Sequence, residues 1–123
     1  MGFGDVRTRP FYGLYTFAAA TVDSDAYVAL DVEDASGVTG AVLGGLTIVN
    51  KTASAVDPDP QPKIRVALTE AALDAATVTI EPDGDSLPLG FDPAQRVTKV
   101  WIKGTVDNVS YEVIYEWERG PNA

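Results

Sequence analysis

Most apolar runs along the chain are short, alternate hydrophobic with polar positions, and are separated by turn residues. After Tyr27, the residues Val28, Leu30 and Val32 alternate with Ala29, Asp31 and Glu33, the period of a half-buried strand. This predicts a strand over 27–33 and a turn over 34–37. Ile64, Val66 and Leu68 then alternate with Lys63, Arg65 and Ala67, and Val78 and Ile80 with Thr77, Thr79 and Glu81. The clearest strands are 97–103 and 109–118, with 104–108 as a tight hairpin loop between them. In the last strand Val109, Tyr111, Val113, Tyr115 and Trp117 share one face and Ser110, Glu112, Ile114, Glu116 and Glu118 the other. The aromatic side reads as core, since a sugar-stacking row would not need three glutamates behind it.

The interruptions are as informative as the runs. The apolar stretch 38–50 is broken by Gly40, Gly44 and Gly45, the mark of a bulged hairpin or of backbone lying close against something else. Prolines at 58, 60 and 62 cannot donate to a ladder, so 57–62 reads as an extended connector. Behind Thr69 as N-cap, 69–76 is rich in helix formers and long enough for one or two turns. The fold class that follows is all-β: an antiparallel β-sandwich, immunoglobulin-like or jelly-roll-like, with an extended N-terminal arm and at most one short helix near 69–76. The expected organisation is an arm or edge strand over 1–22, a hairpin region over 23–56, the proline-rich connector over 57–62 and the main sandwich over 63–120, together forming one compact domain.

Composition narrows the function. A chain of 123 residues builds one core, too small for a cleft between two lobes. Histidine and cysteine are both absent, which removes Ser-His-Asp and Cys-His catalysis, tetrahedral zinc and disulfides. No residue stands out as catalytic, cofactor-binding or metal-ligating. The net charge of −9 repels phosphate, and pairs such as Arg7 with Arg9 make no basic patch, so nucleic acid is not an expected partner. Arg7 and Arg9 ahead of an apolar stretch over 11–22 imitate a secretory signal. That stretch falls short of the roughly 20 residues a membrane helix needs, so the chain reads as soluble with no membrane partner.

Acids gather in two sets, Asp23, Asp25, Asp31, Glu33 and Asp34, and Glu81, Asp83, Asp85 and Asp92. Neither has the spacing of a calcium loop, and they read as solvated loop acids. A glycosidase pair would need a cleft that this chain has little room for. Gly2, Gly4, Gly44 and Gly45 fit no phosphate-binding loop. Two features point to interfaces instead. Phe3, Phe11, Tyr12, Tyr15 and Phe17 crowd fifteen positions without a clean period of two, and such a segment either completes the sheet or lies on another subunit. Trp101 must point outward if Val100 and Ile102 point inward, which sets it between Lys99 and Lys103 as an interface anchor or under a loop such as 87–91.

The run Val97-Thr98-Lys99-Val100-Trp101-Ile102-Lys103-Gly104, followed by the strand over 109–120, resembles small β-sandwich proteins of tailed bacteriophage virions, above all the fibre-to-tail adaptor group. In that group a strand ending in Val-Trp-x-x-Gly leads through a short loop into Tyr-x-Val, and a Gly-Arg pair often follows. Trp101, Gly104, Tyr111 and Val113 fit; a second glycine after Gly104 is missing, and Arg119 precedes Gly120. The resemblance implies a non-enzymatic structural protein in many symmetric copies, without cofactor. It would be bound to other virion proteins (tail, connector or major capsid protein) and present in the host cytoplasm before assembly. The alternative from the residues alone is a carbohydrate-binding sandwich presenting Trp101.

Overall fold

A computed structural model describes residues 12–75 and 78–119. Among them eight strands form two four-stranded sheets. β1 (Tyr12–Val22), β3 (Ala41–Asn50), β6 (Ser86–Gly90) and β8 (Val109–Arg119) make the first, in the order β1-β8-β3-β6. β2 (Val28–Asp31), β4 (Ile64–Ala67), β5 (Thr79–Ile80) and β7 (Lys99–Gly104) make the second, in the order β2-β7-β4-β5. All pairs are antiparallel, and they nest: β1 with β8, β2 with β7, β3 with β6, β4 with β5. The contacts β3·β8 and β4·β7 then roll this long hairpin into two layers, which is jelly-roll wiring. The all-β sandwich expected from the alternation is the fold observed.

Alternation decides which side chains meet between the layers. Leu43, Leu46, Ile48 and the row Val109, Tyr111, Val113, Tyr115, Trp117 face Leu30, Ile64, Val66, Ile80, Val100 and Ile102, all at 6% exposure or less. Burial pushes the Tyr111 phenol above its usual range.

Several local expectations are corrected. β7 and β8 form no hairpin: they lie in different sheets, because packing face to face lets each strand's apolar side cover the other's. The 105–108 link is a corner closed by Asp23, whose carbonyl accepts from the Gly104 N–H at 3.0 Å and whose carboxylate accepts from the Asn108 N–H at 2.9 Å. A Cβ on Gly104 would stand 2.6 Å from the Val106 carbonyl oxygen, so only glycine fits. The stretch 38–50 is likewise no hairpin. It holds one continuous strand, β3, whose register against β8 shifts between Leu43 and Gly45 as a bulge.

The third correction concerns the helix. β2 stops at Asp31, and α1 (Val32–Ser36) occupies residues read from the pattern as strand end and turn. The Asp31 side chain accepts from the Glu33 N–H, and Gly37 closes the helix in a left-handed conformation with φ 71°, a short cap-to-cap unit. The 69–76 segment contains a 3-10 turn over Glu70–Ala72.

The proline-rich connector crosses from β3 to β4. Instead of the extended course expected from its prolines it turns back on itself, the Ala55 N–H and carbonyl both meeting the Gln61 side chain at 3.0 and 2.9 Å and the Asp59 N–H donating to the Val56 carbonyl at 3.0 Å. Fully buried Asn50 locks it in place: its Nδ2 donates to the carbonyls of Pro62 at 2.8 Å and Ile80 at 3.2 Å, and its Oδ1 accepts from the Thr52 N–H at 3.0 Å.

Candidate functional site: the two outer faces

The outward side of β7 carries Lys99, Trp101 and Lys103, while Val100 and Ile102 are fully buried. Register places Trp101 between Ala29 of β2 and Ala67 of β4. With these two small cross-strand neighbours, Trp101 is half-buried. The 87–91 loop considered as its cover lies on the other sheet, since Ser86–Gly90 is β6. A hollow of about 310 Å³ beside Trp101 is lined by Leu68, Gln95, Arg96, Val97, Thr98 and Lys99. Leu68 is 56% exposed.

Cations concentrate here. Lys63, Arg65, Arg96, Lys99 and Lys103 lie on or beside the second sheet, five of the chain's nine basic residues. Several are tethered by single acids: Lys63 to Glu81 at 3.3 Å, Lys99 to Asp31 at 3.8 Å, Lys103 to Asp74 at 2.9 Å. The Arg65 guanidinium donates to the Asp74 carbonyl at 2.8 Å, and the Lys103 hydrogen bond holds the Asp74 carboxyl below its usual range. At the sheet's rim the neighbouring Glu70 carboxylate raises the Tyr27 phenol above its usual range.

The first sheet's outer face has the opposite character. β8 turns Glu112, Ile114, Glu116 and Glu118 outward, with Ile114 37% exposed. The matching positions of β3 and β6 are Val42, Gly45, Thr47, Val49, Ser86, Pro88 and Gly90, none charged, with Val42 opposite Glu118 at 3% exposure. Gly45 sits opposite both Glu116 and Gly90, and the missing side chains leave a hollow of about 280 Å³ bordered by Gly44, Ile114 and Glu116.

Of the interface candidates, Trp101, Lys99 and Lys103 come together on one face. Tyr12, Tyr15 and Phe17 belong to edge strand β1, in register with Glu118, Tyr115 and Val113. Phe3 and Phe11 lie outside the described residues. The loop acids mostly serve backbone N–H groups: Asp23, Asp31, Asp83 and Asp92 accept from Asn108, Glu33, Ser54 and Ala94. Among the described residues no cluster of three or more acids could hold a metal ion, and no helix is long and apolar enough to cross a membrane. Of the resemblance residues, Gly104, Tyr111 and Val113 are buried and Trp101 is half-buried on the outside. Sequence reasoning missed Asn50 and the glycine hollow; the Gly44-Gly45 pair was the available signal for the second.

No family model matches the chain, and comparison with curated proteins finds no match. Solved structures are similar only in outline. A subunit described under "Bacillus endospore appendages form a novel family of disulfide-linked pili" aligns with TM-score 0.49 and 12% identity over 91% of this chain and 90% of its own. A chain of the cyanophage Pam1 capsid asymmetric unit aligns with TM-score 0.39 and 18% identity over 87% and 81%. Neither is described as a tail adaptor.

Proposed function

We propose that this protein is a non-enzymatic structural subunit of a bacteriophage virion, acting as a tail or connector adaptor or as a capsid decoration protein. Its partners are other virion proteins and further copies of itself. The observation that carries this reading is the exposed sheet face where Trp101 and Leu68 stand among five cations on an otherwise acidic chain. Apolar anchors inside a charged rim are what protein interfaces present. The edges support it too. β5 has two residues, β2 has four and β6 carries Pro88, all forms that resist strand addition. β1 presents eleven residues at its edge.

A second reading, a carbohydrate-binding module, is favoured by one feature: Trp101 borders a shallow hollow open to solvent. Light scattering of the full chain over a concentration series, paired with tryptophan emission during oligosaccharide titration, separates the two. The structural reading expects a mass that grows with concentration and emission indifferent to sugar. A monomer at every concentration whose emission shifts with oligosaccharide overturns it.

A further inference from the structure

We infer that the two outer faces are made for each other across copies: Trp101 of one copy seats in the Gly45/Gly90 hollow of the next. This deepens the structural reading above by naming the occupant of both faces, a second copy of this chain. Three observations select that occupant. The faces differ in charge: Arg65, Lys99 and Lys103 surround Trp101, the two lysines each beside one acid (Asp31 at 3.8 Å, Asp74 at 2.9 Å), whereas the hollow is bordered by Glu116 on a strand that also turns Glu112 and Glu118 outward. They are also suited in size, since half-buried Trp101 has only Ala29 and Ala67 as cross-strand neighbours, whereas Gly45 and Gly90 leave a gap of about 280 Å³. Each also carries an exposed aliphatic group beside its centre, Leu68 on one and Ile114 on the other.

The geometry of such a contact follows from the sandwich. The faces lie on opposite sides of one molecule, so joining them is heterologous, and every added copy offers both faces again. With sheets packing about 10 Å apart both inside and between copies, the stack repeats roughly every 20 Å. One four-stranded face covers on the order of 400 Å² from strand spacing and rise, about half the area each partner gives to a standard interface. A single contact is therefore weak, and closure into a ring or mounting on a lattice multiplies it. Because charge supplies the steering, the stack loosens as salt shortens the screening length.

The test uses the full chain in sedimentation velocity at low ionic strength, with a thermal melt to check each variant's fold. Wild type is expected to gain mass with concentration and lose it with added salt. Gly90→Leu fills the hollow, and its new Cβ meets nothing within 4 Å in the sandwich. It is expected to raise the dissociation constant at least about tenfold with the melt unchanged, as Trp101→Ser does from the other side. Lys99→Glu and Glu116→Lys each weaken the stack, and the two together in one chain recover much of the loss, because the reversed charges then meet between copies. If Gly90→Leu and Trp101→Ser assemble like wild type, the face-to-face inference fails while the structural reading survives through other surfaces. A wild-type chain that stays monomeric at every concentration and salt overturns the inference. If its emission also responds to sugar, the structural reading falls with it.

Discussion

Strands β7 and β8 follow one another in the chain and obey the same alternation, yet their outward residues could hardly differ more: Lys99, Trp101 and Lys103 on one, Glu112, Ile114, Glu116 and Glu118 on the other. Their inward residues are interchangeable in character. Period two assigns the inside by hydrophobicity and leaves the outside free to carry chemistry, so the outward positions are where function is written on this fold. As a result a chain of net charge −9 still gathers five of its nine basic residues on or beside one sheet, three of them each paired with an acid.

Substitutions that damage the shared interior should erase both faces together. Tyr115→Ala, at a site 2% exposed, is expected to cost about 3–5 kcal/mol, seen as a lower denaturant midpoint and loss of near-ultraviolet dichroism from both tryptophans. Asn50→Ala comes next, at about 2–3 kcal/mol, because the carbonyls of Pro62 and Ile80 and the Thr52 N–H lose a buried partner. Gly104→Ala forces a Cβ against the Val106 and Val22 carbonyls and should cost about 1–3 kcal/mol by strain at the corner between β7 and β8. Ile114→Thr, on the first outer face alone, should change stability by no more than about 0.5 kcal/mol, read from a thermal melt. It sharpens the contrast by altering one surface and nothing inside.

The smallest effects lie in pH. Asp107 accepts from the Ser24 N–H and hydroxyl, which hold its carboxyl below the usual range. A depressed folded-state value stabilises above the unfolded value of about 3.9, and that contribution disappears as pH falls through the folded value. Carboxyl titration followed by NMR should show the Asp107 midpoint rising in Ser24→Ala. Lys103→Met should raise Asp74 in the same way. Of the two, only the Asp74 shift belongs to the second outer face.

Much of this was legible beforehand in the alternation. The core row of β8, the inward Val100 and Ile102 and the outward Trp101 all follow from period two. Pairing did not, because alternation fixes which side of a strand is buried and says nothing about which strand lies beside it. The expected hairpin at 104–108 failed for that reason. The helix at 32–36 was hidden because Val32 continues the strand alternation while Asp31, read as an outward strand residue, acts as its cap. Asn50 was invisible as a single polar residue ending an apolar run; its role depends on Pro62 and Ile80, distant in sequence. The glycine hollow needed two residues 45 positions apart, Gly45 and Gly90, to meet across β3 and β6.

The nested wiring also dictates an order of events during synthesis. β4 and β5, innermost in the nest, can pair while the ribosome is still translating. β1 emerges first and finds its partner last, since Tyr12 pairs with Glu118. At roughly 5–20 residues per second, β1 waits for between about 5 and 20 seconds before β8 is available. For that interval an apolar, aromatic-rich segment travels uncovered, and the newborn chain is most exposed to aggregation at the strand that later forms its longest open edge.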